Sequence, residues 1–118
     1  MGGVIETSPG VAWTANGVTF ERLLAGARER STDGEVAHVF DVADASFGLV
    51  LHRLPSELHA KVLATLRREC AAVDAELTGT TDPGDQGLVS SLGELAALLA
   101  AVDAQGPGRA KDAAPTDV

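Results

Sequence analysis

The chain has 118 residues, 45 % of them apolar, and 17 acidic against nine basic side chains give it a net charge of −8. That length holds one domain, and that apolar content is too high for a disordered chain. The acid excess excludes direct binding to nucleic acid, which needs a basic surface to displace counterions, and to an anionic membrane surface; it favours solubility and would attract a basic protein.

Aromatic residues are few: Trp13, Phe20, Phe40 and Phe47, with no Tyr. The core must therefore be built from Leu, Val and Ala. A small core of this kind is marginal, and dimerisation is a common remedy, so a homodimer is expected. Cys70 is the single cysteine. No intrachain disulfide is possible, which fits a reducing cytoplasm. The N-terminal segment lacks the basic-then-apolar pattern of a signal peptide. Glu6 stands where a myristoylation motif needs Ser or Thr. The longest apolar run falls far short of a bilayer span. The Ala, Gly, Leu, Arg and Val bias suggests a GC-rich bacterial genome.

In chain order, Val4 to Thr7 and Val11 to Ala15 read as short strands. Ser8-Pro9-Gly10 forms the turn between them, since Pro presets one dihedral and Gly permits a positive φ. Asn16-Gly17 is a tight-turn signal. Thr19 is the expected N-cap of a helix from Phe20 to Arg30 with Phe20, Leu23, Leu24 and Ala27 inward. Gly26 weakens that helix by about 1 kcal/mol relative to Ala unless another backbone packs against it.

From Glu35 to Val42 the residues alternate, with Val36, His38, Phe40 and Val42 on one face. Ala43-Asp44-Ala45 reads as a loop, and Ser46 to Leu54 as a second strand. Together they predict a hairpin over 35–54, with Gly48 at a bulge or close packing point.

Pro55 or Ser56 opens the longest helical pattern, 55–77. Leu58, Val62, Leu66, Cys70, Val73 and Leu77 fall three or four residues apart on one stripe. After a loop at 78–84, a third helix is predicted over 86–103. Its stripe is Leu88, Leu92, Leu95, Leu99 and Val102, with Leu98 beside it, and Ala96, Ala97, Ala100 and Ala101 make much of it small. A helix with so few charges implies that it is sandwiched in the fold or sits in an intermolecular interface. Residues 104–118 have no periodicity and are expected to form a disordered tail. The fold class is α+β: a small antiparallel sheet, hairpin 35–54 with strands in 4–15, carrying three helices on one face and forming a single domain over 1–103.

Few residues carry chemistry. His38 and His52 would lie on the two hairpin arms and share a face only for one loop parity. With Asp41 they are the candidate polar groups of an enzyme or ligand cavity between sheet and helices. His59 adds a third histidine, but the spacing matches no metal-ligand pattern, so neither a metal nor a cofactor is predicted, and no catalytic residue. Cys70 lies on an apolar stripe, where a small buried hydrophobe is expected. The leading expectation is a non-enzymatic protein-binding or adaptor protein acting by surface contact, such as an inhibitor or immunity-type protein for a basic partner. Its interface candidates are Leu88, Leu92, Leu95, Leu99, Val102 and Trp13.

Overall fold

The first two strands form where the alternation predicts. In a computed structural model that describes residues 2–31 and 33–105, β1 spans Gly2–Ser8 and β2 spans Val11–Asn16. They pair antiparallel across a turn in which Gly10 takes φ 79°, a conformation open to Gly at no steric cost. Gly3, Ile5 and Thr7 face inward while Val4 is half exposed, so the hairpin buries one face. Trp13 pairs with Ile5 on that inner face.

Asn16 does not make a tight turn. It is the N-cap of helix α1 (Gly17–Arg30), its side-chain oxygen accepting from Thr19 N at 2.8 Å. Asn-Gly suits this role because Asn caps well and Gly17 accepts the abrupt entry. Thr19, expected as the cap, stands one turn in and is buried.

The hairpin over 35–54 does not form. Gly34–Ser46 is a second helix, α2, capped by Asp33, whose carboxylate accepts from Glu35 N at 2.8 Å. Val36, Phe40 and Ala43 make its buried stripe. Val36 and Phe40 satisfy a period of two and a spacing of four equally well. The N-cap Asp33, with Glu35 in the first turn beside the helix dipole, decides for the helix. Phe47 ends α2 in the left-handed region at φ 58°, and only Gly48–Val50 remains as a strand, β3. It pairs parallel with β1, Ile5 opposite Leu49. The sheet is therefore mixed, in the order β2-β1-β3. The α+β class stands, with four α-helices among the described residues where three were expected.

A single 3₁₀ turn, Leu51–Arg53, leads through Pro55 into α3 (Ser56–Glu76). The long stripe of α3 is buried as its spacing requires, with Val62 and Leu66 fully inaccessible. The last helix, α4, runs Pro83–Gln105, longer than predicted at both ends. The start of the expected tail thus belongs to the helix, and the rest of that tail, 106–118, lies outside the described residues. By length and composition Pro83–Val102 would suffice to cross a membrane, contrary to the reading of apolar runs alone. Its leucines, however, are folded into the domain core together with the sheet and α1–α3.

All four helices lie on the inner side of the sheet, where Ile5, Trp13 and Leu49 join one continuous cluster with their apolar stripes. Two glycines mark close approaches. A Cβ on Gly3 would overlap the Phe20 ring, and one on Gly26 would overlap the Glu69 carboxylate.

Candidate functional site

The polar residues singled out from sequence do not assemble. His38 and Asp41 sit three residues apart on α2, both exposed. Asp41 accepts from Arg28 Nε at 2.5 Å, an ion pair between two half-exposed side chains. His52 belongs to the 3₁₀ turn. The groove of about 250 Å³ that Asp41 lines, with Glu21, Leu24, Ala25, Arg28, Phe40 and Asp44, includes neither histidine.

His52 instead meets Glu6 of β1, Nε2 to Oε2 at 3.4 Å, a separation at which a protonated imidazole makes an ion pair. His59, on the first turn of α3, is buried. Burial, with His52 nearby, lowers its pKa. His52 Nε2 and His59 Nδ1 are both buried without a hydrogen-bond partner among the described residues. The pairing of Glu6 with His52 was not legible, because it depends on β3 lying beside β1. No three His, Cys, Asp or Glu side chains among the described residues converge as a metal would require.

A cleft of about 560 Å³ lies between the start of α2 and α3, lined by Asp33, Val36, Ala60, Lys61, Ala64, Thr65 and Arg68. Lys61 donates to Asp33 at 2.8 Å and lies 3.9 Å from Glu57. The hydrogen bond holds the Asp33 carboxyl below its usual range and raises the Lys61 ammonium above its own. With its charge already matched, Lys61 offers little attraction to an anion. A second ion pair is deeper: Arg30 Nε donates to Glu69 Oε1 at 2.5 Å, and the Glu69 side chain is 8 % exposed. The carboxylate sits over Gly26, which explains the glycine that weakened the helical pattern of α1.

Two adjoining grooves run between α3 and α4. Arg67, Cys70, Ala71, Asp74, Val89, Leu92, Gly93 and Ala96 line a groove of about 400 Å³. A neighbouring hollow of about 460 Å³ shares Asp74 and Val89 with it and continues to Leu77, Thr78, Thr80, Gln86 and Ser90. The shared residues make one trough along the helix pair. Its surface is small and apolar where Ala71, Gly93 and Ala96 stand, and Arg67 and Asp74 add one charge of each sign. Cys70 contributes to the wall, but burial pushes its thiol up to about 12, so it is no nucleophile at neutral pH.

The expected interface residues take other places. Leu88, Leu92, Leu95 and Leu99 are buried in the core, and Val102 is partly buried against it. Trp13 is 4 % exposed, its indole N–H donating to Ser91 O of α4 at 2.8 Å. It ties the hairpin to α4 and is a core anchor. The surface that α4 leaves for contact is the opposite, small-residue side, which its leucine stripe could not reveal.

No protein-family model, curated protein or solved structure matches the chain.

Proposed function

We propose that this protein is a non-enzymatic binding module that receives a helical segment of a basic protein partner in the α3–α4 trough. The observation that carries the reading is the trough itself: two adjoining grooves sharing Asp74 and Val89, small-sided and without converging acid–base groups. An amphipathic helix laid into an apolar groove is a recurring recognition mode, and small residues let the backbones approach closely. The net charge of −8 favours a basic segment. An inhibitor or adaptor acting on a basic protein fits this description. The alternative of an enzyme built on His38, His52 and Asp41 is the less favoured reading, since none of the grooves described above is lined by more than one of them.

Gly93→Arg tests the reading. Gly93 is exposed, and a Cβ there meets nothing within 4 Å, so the change crowds the trough without disturbing the fold. In native co-purification with quantitative mass spectrometry, a basic protein retained by the wild type is expected to fall by about tenfold or more with the variant, a loss of about 1.4 kcal/mol. Equal retention by both chains would exclude the trough as the binding site.

A further inference from the structure

The sheet has one long free edge. Strand β2 is terminal in the order β2-β1-β3, and among the described residues no element pairs with its outer side. The other edge, β3, is three residues long and turns at once into the 3₁₀ turn, so it offers little to a partner.

Edge strands present unpaired N–H and C=O groups, and monomeric proteins blunt them with Lys, Pro, bulges or inward charges. Within Val11–Asn16 β2 has no Lys, Pro or charge, and the one bulge in the β1–β2 ladder, between Glu6 and Ser8, lies on the β1 side at the Val11 end. Between Glu6 and Glu21 the sequence contains no charged residue, although 22 % of the chain is charged. The edge is flanked by Val11, 39 % exposed, and Val18, 78 % exposed, while Ala12 and Thr14 are exposed on the outer face. An uncharged backbone edge between exposed valines has the character of an interface centre.

We propose that β2 is a self-association edge: two copies pair their β2 strands antiparallel and join their sheets into one of six strands. The free edge of a second copy is complementary to this one, because each carries the same alternating donors and acceptors. It is also already ordered, whereas a flexible segment of another protein would lose conformational entropy on docking. The acid excess of both copies lies outside the uncharged stretch, so like charges are not concentrated at the contact.

Symmetry restricts the register, and centring the contact on Val11–Ala15 selects one. Residues directly opposite in a sheet point to the same face, and a two-fold axis perpendicular to the sheet keeps the inner face of one copy beside the inner face of the other. A residue can therefore oppose only one of its own parity. Pairing Trp13 with Trp13 of the second copy sets Val11 against Ala15 and Ala12 against Thr14. It leaves Asn16 free to cap α1, as it does in the single chain.

The Ala12–Thr14 pairing is tested by two double variants that differ only at position 14. Ala12→Lys with Thr14→Lys places like charges opposite each other twice across the axis. Ala12→Lys with Thr14→Glu places opposite charges there instead. Both positions are exposed, and Lys at 12 also faces Glu6 across the β1–β2 ladder. Sedimentation equilibrium of the full chain from about 1 to about 100 µM covers the range in which a small interface associates. The expected result is a dimer for the wild type and for the Lys/Glu variant, with association weakened at least about tenfold in the Lys/Lys variant, equal to about 1.4 kcal/mol. Hydrogen exchange of wild-type β2 amides should slow as concentration rises. A monomer at every concentration with freely exchanging β2 amides overturns the proposal and leaves the edge to a strand of another protein. Equal association of the two double variants also overturns it. The proposal is independent of the trough: Gly93→Arg should leave the dimer intact, and loss of the dimer should leave trough binding in place.

Discussion

Gly26→Ala should change the sign of its effect according to what stands at position 69. In an ordinary helix interior the substitution stabilises by about 1 kcal/mol, because Ala gives up less backbone freedom than Gly. Here a Cβ would overlap the Glu69 carboxylate, which is buried and held by Arg30 at 2.5 Å. The carboxylate must move and the ion pair must loosen. A hydrogen bond between charged groups contributes about 1.5–3 kcal/mol. Arg30 is 44 % exposed, so solvent screening reduces that to about 1–2 kcal/mol. Displacing a buried acid from its place adds a similar cost. Gly26→Ala is therefore expected to destabilise the wild type by about 1–3 kcal/mol net, and to stabilise a Glu69→Ala background by about 1 kcal/mol. Urea unfolding of the four chains of this cycle reads a coupling of about 2–4 kcal/mol as midpoint shifts at constant m-value. Equal shifts from Gly26→Ala in both backgrounds would refute the reasoning and mean that the carboxylate does not occupy the glycine's space.

Burial and the nearby His52 lower the pKa of His59, so the folded state binds fewer protons there than the unfolded state. Stability from this residue is complete above the ordinary histidine value of about 6.5 and is lost as pH falls below it, until the lowered folded value is passed. Thermal unfolding of His59→Leu should show a flatter profile as pH falls below about 6.5 than the wild type. The Cys70 thiol, pushed up to about 12 and 4 % exposed, should resist iodoacetamide at pH 8 in the folded chain and react once urea unfolds it; rapid native labelling would contradict its burial. Leu95→Ala should cost about 2–5 kcal/mol in urea unfolding, because Leu95 is fully inaccessible inside the single chain. A cost under 1 kcal/mol would mean that this face of α4 is not core.

The helices α3 and α4 were legible because their stripes repeat over several turns, Val62, Leu66, Cys70 and Val73 in one and Leu88, Leu92, Leu95 and Leu99 in the other. α2 was not, because Val36, His38, Phe40 and Val42 alternate while Val36, Phe40 and Ala43 also follow a helical stripe. The β-branched valines favoured the strand reading locally, and the cap at Asp33 with tertiary packing of Phe40 overrode them. That one misread element displaced His38 and Asp41 from the sheet and so dissolved the cavity drawn around them. The leucines of α4 were readable as a stripe but not as a core or an interface, since periodicity shows a face and not what covers it. Gly26 carried a real signal, a helix breaker inside a helix, and its cause lay 43 positions away at Glu69, beyond any local pattern.

The central place of β1 also separates two stages in how the sheet is assembled. Its pairing with β2 closes across the Pro9–Gly10 turn, whereas its pairing with β3 joins Val4 to Gly48 and must wait for α1 and α2 to span the distance. Each doubling of a closed loop adds about 0.6 kcal/mol of entropic cost, so the parallel seam starts more than 1 kcal/mol behind the hairpin. Topology of this kind makes the three residues of β3 a late lock. Until Gly48–Val50 docks, β1 is itself an open edge, and a second hairpin could add to it. The same short strand that completes the native sheet thus closes the β1 edge to neighbouring chains only once it has docked.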